Sequence, residues 1–158
     1  MHISINTRTQ ELQHFLPDKT YRYSISSAKN GLGQQAGSEK TPLGRHVIRA
    51  KIGAELPSHA VLVGRRFSGE IYDAPLAEKY PNRDWILSRI LWLSGLESGK
   101  NRLGAVDSMR RYIYIHGTPD SEPMGVPLSH GCIRMTNSDV IELFDRVEVG
   151  CTVDITGC

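Results

Sequence analysis

Apolar and polar residues alternate in several short segments near the start of the chain. Ile3 and Ile5 alternate with polar neighbours, and residues 21–25 (YRYSI) repeat the pattern. A period of two predicts half-buried β-strands. Residues 27–44 are rich in Gly, Ser and Lys, which predicts a loop. Further short strands are predicted at 45–50, 60–63, 70–72 and 151–155.

The segment DWILSRILWLSGLESGKN, residues 84–101, fits two patterns. Ile86, Ile90 and Leu93 recur at helical spacing, whereas Trp85 and the leucines alternate as in a strand. Its Ile and Trp content and the glycines that follow favour a strand.

Residues 110–116 (RRYIYIH) predict a clearer strand. Tyr112 and Tyr114 would lie on one face with the isoleucines on the other, and His116 would end the strand.

One helix is strongly indicated. Thr136 and Asp139 form a pattern like a capping box, and apolar residues then recur at helical spacing up to a stop at Gly150. Many short strands and a late helix predict a single mainly β domain over residues 1–158, of β-sandwich type with one or two short helices.

Charge and hydropathy limit the classes of partner. The net charge is +2 and both signs are dispersed, so no basic tract indicates nucleic-acid binding. The pairs Arg65–Arg66 and Arg110–Arg111 are expected to be solvated surface charges. No apolar run approaches the roughly 20 residues of a membrane span, and residues 1–15 do not resemble a signal peptide. We therefore expect a cytosolic protein. Its cysteines would be thiols, with a Cys151–Cys158 disulfide as the alternative under oxidising conditions.

The segment PLSHGCIRM, residues 127–135, contains the chemistry-bearing residues. Cys132 could be a buried small side chain, a metal ligand or a nucleophile. A nucleophilic thiol needs a base, and the candidates are His130, reached through a tight turn at Gly131, and His116, which lies sixteen residues upstream on the predicted strand. The second arrangement is simpler, because it places His116 on a strand adjacent to Cys132.

Two backbone features complete the hypothesis. A carbonyl near Gly117 or Thr118 could orient the His116 imidazole. The N–H groups of His130, Gly131 and Cys132 could form an oxyanion hole, in which each donor is typically worth on the order of 3 kcal/mol.

IHGT at residues 115–118, followed at this spacing by SHGCIRM at residues 129–135, resembles the L,D-transpeptidase catalytic-domain family. TPLG at residues 41–44 is similar to the TPxG element of that family. The resemblance covers roughly residues 21–155.

The resemblance implies a β-sandwich with Cys132 as nucleophile, His116 as base and the Gly117 carbonyl as the orienting group. It also implies an oxyanion hole of the His130, Gly131 and Cys132 amides. The substrate would be the stem peptide of peptidoglycan, cut between the L-centre of its diamino acid and a D-amino acid. It implies no metal or cofactor, and acylation of Cys132 by carbapenem-type inhibitors.

Other polar residues have weaker assignments. Arg134 could bind a substrate carboxylate or form an ion pair, and Arg89 is a weaker candidate of the same kind. Tyr114 and Ser129 are expected to line the cleft. A zinc site of His116, Cys132 and His130 is the alternative chemistry, disfavoured because no further ligand lies at suitable spacing.

An acyl-enzyme can be resolved by water or by an amine, and the motifs do not distinguish these acceptors. A cytosolic enzyme would meet soluble wall fragments, which favours an L,D-carboxypeptidase that removes terminal D-Ala from tetrapeptides during peptidoglycan recycling. The alternatives are an exported L,D-transpeptidase that forms cross-links and a non-catalytic domain that senses stem peptides.

Overall fold

The structure, a computed structural model, describes residues 1–157, which form ten β-strands and two α-helices. The strands are β1 (His2–Asn6), β2 (Glu11–Phe15), β3 (Thr20–Ser24), β4 (Gly44–Ile52), β5 (Ala60–Val63), β6 (Arg66–Ile71), β7 (Leu87–Gly95), β8 (Tyr114–Gly117), β9 (Ile133–Met135) and β10 (Thr152–Thr156). The helices are α1 (Ala74–Lys79) and α2 (Asn137–Arg146). No helix within residues 1–157 is long and apolar enough to cross a membrane.

All ten strands belong to one hydrogen-bonded sheet. Its order is β3-β2-β1-β10-β4-β7-β5-β6, while β8 also pairs with β7 and β9 pairs with β8. Ser26, just after β3, exchanges two backbone hydrogen bonds of 2.9 Å with Arg134 in β9. The sheet therefore curls until the chain after β3 meets β9. The predicted mainly β class with one or two short helices is confirmed.

The curled sheet encloses the main hydrophobic core. Ile3 and Ile5 of β1 lie in parallel register with Val153 and Ile155 of β10, and all four side chains are buried. The apolar face of α2, formed by Val140, Leu143 and Phe144, packs into the same core. Because burial of one such side chain is worth about 1.5–3 kcal/mol, this packing fixes α2 directly behind β7 and β8.

The ambiguous segment is a strand, as predicted, and its surroundings explain the mixed pattern. β7 pairs with β4 and β8, and residues 87–91 are buried in succession. A strand covered on both faces shows no alternation of apolar and polar residues.

The strand predicted at residues 110–116 begins later than expected, at Tyr114. Residues 108–112 form turns instead, and Tyr112 has a φ of 57° and is 53% exposed. The cause is Asp107, whose carboxylate accepts hydrogen bonds from the backbone N–H groups of Leu103 and Arg110 and so stabilises a turn.

The predicted cap of α2 is confirmed. The hydroxyl of Thr136 accepts a hydrogen bond from the N–H of Asp139 at 3.2 Å. β2 and α1 had not been predicted, and α1 begins at an N-cap, Asp73, followed by Pro75 in its first turn. The disulfide alternative involves Cys158, which lies outside the described residues.

Candidate active site

A cavity of about 300 Å³ opens where β8 lies beside β9. The predicted residues Tyr114, His116, Ser129, Cys132 and Arg134 all line it. His130 lines it as well. The structure thus brings together residues that the sequence separates by up to twenty positions.

The register of two parallel strands explains this convergence. Ile115 of β8 is opposite Ile133 of β9, and His116 is opposite Arg134. Because side chains alternate along a strand, the isoleucines enter the core while His116 and Arg134 face the cavity. Cys132 lies one residue before β9 and two residues before Arg134, the partner of His116 in the register. Its side chain therefore points to the same side as that of Arg134 and also lines the cavity.

Gly117 orients the imidazole of His116. The Nδ1 atom of His116 lies 2.6 Å from the Gly117 carbonyl oxygen. A carbonyl only accepts, so Nδ1 carries the proton and Nε2 is left with a free lone pair. A side chain at position 117 would lie 2.5 Å from the carbonyl oxygen of Leu87, which explains the glycine.

The thiol of Cys132 is held between two backbone groups. Its Sγ donates to the Tyr112 carbonyl at 3.3 Å and accepts from the Tyr114 N–H at 3.4 Å. Burial raises the pKa of Cys132 to about 12, and burial also lowers the pKa of His116. Both shifts favour the neutral forms of the thiol and the imidazole, which line the same cavity.

Asp84 connects two side chains at the cavity. Its carboxylate lies 3.2 Å from the guanidinium of Arg134 and 3.4 Å from Nδ1 of His130. Its negative charge raises the pKa values of both Cys132 and His116. Arg134 therefore forms the ion pair considered among its two predicted roles. Sequence reasoning missed Asp84, which lies 48 residues before Cys132.

The turn before Cys132 is braced by two hydroxyl groups. Ser129 Oγ donates to the Cys132 carbonyl at 2.6 Å and accepts from the Gly131 N–H at 3.2 Å. Thr41 Oγ1 donates to the Gly131 carbonyl at 3.0 Å and accepts from the Ala28 N–H at 2.9 Å. Gly131 has a φ of 130°, which favours glycine. Thr41 of the TPLG element thus positions the cysteine turn.

These contacts reduce the number of N–H donors in the predicted oxyanion hole. The N–H of Gly131 is occupied by Ser129, whereas the N–H groups of His130 and Cys132 have no protein acceptor within residues 1–157. Two donors therefore remain available to a substrate oxygen. Ser129 lines the cavity, as predicted, and its hydroxyl also braces the turn.

The hairpin between β5 and β6 supplies a cavity residue that the sequence predicts to be a solvated surface charge. Arg65 lines the cavity and donates to the Tyr114 hydroxyl at 3.1 Å. Its guanidinium also lies 4.9 Å from the ring centroids of both Trp92 and Tyr112. Arg111 enters the cavity as well, which corrects its assignment to a solvated pair.

Arg89 does not lie at the cavity, contrary to the prediction that it binds substrate. Its side chain is only 6% exposed and does not line the cavity. Its Nη1 donates to the carbonyl oxygens of Leu56 and Ser88, and its guanidinium lies 5.4 Å from the Phe144 ring centroid. Arg89 therefore joins β7 to a neighbouring loop and to α2.

The remaining histidines and the metal alternative can also be placed. His14 and His46 are buried and His59 contacts Asp120, so these three have structural surroundings. Among residues 1–157, no three His, Cys, Asp or Glu side chains converge as metal ligands would.

Comparison with known proteins places this geometry in a family. The family model described as YkuD, L,D-transpeptidase catalytic domain, matches residues 1–155. YqjB of Bacillus subtilis (strain 168), which is named as an L,D-transpeptidase, is 29% identical over 156 residues, covering 98% of this chain and 70% of YqjB.

Solved structures show the same fold at low identity. An Enterococcus faecium L,D-transpeptidase mutant is 18% identical with a TM-score of 0.58, covering 98% of this chain and 49% of its own. LD transpeptidase LdtMt1 in complex with imipenem is 16% identical with a TM-score of 0.55, covering 98% and 57%. This chain thus spans about half the length of these two solved chains.

Proposed function

Because the chain belongs to the L,D-transpeptidase catalytic-domain family, we propose that it acts on peptidoglycan stem peptides as a cysteine-dependent L,D-carboxypeptidase. In this proposal it removes the terminal D-Ala of tetrapeptides during peptidoglycan recycling, in the cytosol. Water, rather than an amine, would resolve the acyl-enzyme.

The charge of the cavity supports this choice of acceptor. Arg65, Arg111 and Arg134 line it, and Asp84, the one carboxylate residue in that lining, is already paired with Arg134. Such a site attracts a carboxylate-bearing peptide and repels the ammonium group of an acceptor stem peptide. The excess of positive charge is the observation that carries the proposal.

Acylation follows from the neutral resting pair. As Sγ of Cys132 attacks the carbonyl carbon on the L-centre side of the scissile bond, its proton passes to Nε2 of His116. The His130 and Cys132 N–H groups donate to the oxygen as it becomes negative. The C–N bond then breaks, and the leaving D-amino acid takes the proton from His116, which leaves a thioester.

Deacylation repeats these steps with water. His116 removes a proton from the attacking water, and the second tetrahedral intermediate collapses to the tripeptide carboxylic acid, which releases its own proton to solvent. The proton returns from His116 to the Cys132 sulfur, so the enzyme ends in its starting state.

Cross-linking is the second candidate function, and one observation favours it. A neighbouring cavity of about 250 Å³ shares Arg111 and His130 with the first and contains Glu39 and Asp107. Carboxylates beside the reactive site could receive an acceptor ammonium group, which a transpeptidase exported to the wall would require.

The test is an incubation with a tetrapeptide ending in D-Ala, with and without excess D-amino acid, followed by mass spectrometry. Tripeptide in both conditions, lost in Cys132→Ala, is the expected result. Dimers or exchanged tetrapeptides would establish the transpeptidase instead. Peptide binding without any turnover would favour the sensor, and subcellular fractionation of the native protein tests the cytosolic location.

A further inference from the structure

Three arginines line the cavity, and two of them are already held by protein groups. The guanidinium of Arg134 is paired with Asp84. Arg111 donates to the carbonyl oxygens of Gly33, Gln34 and Lys40 and to the Ser38 hydroxyl. These contacts bind Arg111 to the loop between β3 and β4, so neither side chain is free to bind a ligand.

Arg65 has fewer protein partners than either. Within residues 1–157 it forms no ion pair, unlike Arg134, and it donates one hydrogen bond, from Nη1 to the neutral Tyr114 hydroxyl, where Arg111 donates four. Most of its five N–H donors therefore remain available. The cavity thus holds a cation without a counter-charge.

The surrounding rings hold this guanidinium in place. The ring centroids of Trp92 and Tyr112 each lie 4.9 Å from the central carbon of the Arg65 guanidinium, a distance typical of cation–π contacts. The Trp92 ring is itself fixed by a hydrogen bond from Nε1 to the Met109 carbonyl at 3.1 Å. A pre-ordered guanidinium loses less conformational entropy when it binds a planar anion.

The backbone at Arg65 is unusual for its residue type. Gly64 and Arg65, the two central residues of the β5–β6 hairpin, have φ values of 54° and 64°. This turn favours Gly or Asn at such positions, because a side chain is disfavoured in the left-handed region. The local backbone conformation therefore does not account for an arginine at position 65.

We propose that Arg65 binds a free carboxylate of the stem peptide and so determines the substrate specificity of the cavity. The inference rests on the proposed function for the identity of the ligand. The stem peptide offers three such groups, namely those of the terminal D-amino acid, of the D-centre of a diaminopimelate residue and of the D-glutamate. All three present the same chemistry to a guanidinium.

The proposal is tested by changing both partners of the contact, the arginine in the protein and the carboxylates in the peptide. Wild type, Arg65→Gln and Arg65→Lys are compared on the free-acid tetrapeptide and on three peptides that each lack one carboxylate: a D-alaninamide end, lysine for diaminopimelate, and D-isoglutamine for D-glutamate. Arg66→Gln is the matched control, since it removes an exposed arginine of the same hairpin that does not line the cavity.

We expect Arg65→Gln to lower kcat/KM for the free-acid peptide roughly 10- to 100-fold, as loss of a charge-assisted hydrogen bond predicts. Arg65→Lys should lose less, and Arg66→Gln should leave kcat/KM unchanged. One of the three altered peptides should be turned over equally by wild type and Arg65→Gln, which identifies the carboxylate. Equal losses on all four peptides, or no loss, would overturn the proposal.

Binding separates this inference from the proposed reaction. The same peptides are titrated calorimetrically into Cys132→Ser and into Cys132→Ser/Arg65→Gln, which cannot react by the thiol route. If wild type releases no D-Ala but Arg65→Gln weakens the binding of every peptide except one altered peptide, the carboxylate site stands while the reaction fails. If D-Ala is released and no peptide distinguishes the variants, the reaction stands and the site fails.

Discussion

Asp84 is the residue through which the charges of the site are coupled. It contacts Arg134 and His130, and its negative charge raises the pKa values of Cys132 and His116. Arg134 and Arg111 act in the opposite direction and lower the pKa of Cys132. The reactivity of the thiol therefore depends on the balance between these groups, besides its burial.

Replacement of Asp84 should shift this balance. In Asp84→Asn the carboxylate no longer raises the pKa of Cys132, and Arg134 loses its counter-charge, so both effects lower that pKa. We expect the pH profile of Cys132 alkylation by iodoacetamide to move to lower pH. Asp18→Asn, at an exposed turn, is the matched control and should not move the profile; an unshifted profile in Asp84→Asn would contradict the coupling.

Cys132 should also be the residue that β-lactams acylate. Because the chain belongs to the L,D-transpeptidase catalytic-domain family and Cys132 lines the cavity, we expect incubation with imipenem to increase the intact mass by one adduct. The adduct should be absent in Cys132→Ala and retained in Cys151→Ala, because Cys151 does not line the cavity that contains His116 and Cys132. An adduct that survives in Cys132→Ala would assign the reaction to another residue.

At the scale of elements, the long loop between β3 and β4 supports the catalytic turn. Thr41 contacts both Ala28 within this loop and Gly131 before the cysteine, and its side chain is fully buried. A single hydroxyl group thus fixes the loop and the turn against each other. Since His130 and Cys132 supply the two free amides, the loop also affects their alignment.

Removal of that hydroxyl should cost both stability and rate. Thr41→Val keeps the shape but leaves the Ala28 N–H and Gly131 carbonyl unpaired, so we expect a loss of about 1–3 kcal/mol in the free energy of unfolding. The kcat should fall as well, because the turn is no longer braced. Urea unfolding and D-Ala release measure these effects. Thr41→Ser, which keeps the hydroxyl, should retain most of both; a Val variant equal to wild type would refute the bracing role.

At the scale of the whole molecule, several histidines are enclosed by the folded sheet. His46 is fully buried, with Nδ1 3.0 Å from the Gly44 carbonyl and Nε2 2.8 Å from the Ser108 hydroxyl. Burial lowers the pKa of His46 to about 4. Burial also lowers the pKa values of His14 and His116, so folding disfavours the protonated form at three positions.

The fold should therefore lose stability in mild acid. The unfolded chain binds a proton at His46 near pH 6.5, whereas the folded protein binds it only near pH 4. The contribution is fully present above pH 6.5 and is lost as the pH falls through this window, by on the order of 3 kcal/mol for His46. Urea unfolding at several pH values measures it. His46→Gln should flatten the dependence, and an equal slope in both proteins would contradict the assignment.

The sequence by itself determined many of the local elements and which motif residues meet at the cavity. The alternation around Ile3 and Ile5, the cap at Thr136 and the spacing of His116 from Cys132 depend on neighbours along the chain, and such neighbours can be read directly. Only the tertiary structure decided which distant charges surround them. Asp84, Arg65 and Arg111 reach the cavity through the curl of the sheet and the hairpin turn, and no short-range pattern encodes these contacts. Arg89 was misplaced for the same reason, because its partners lie on other elements.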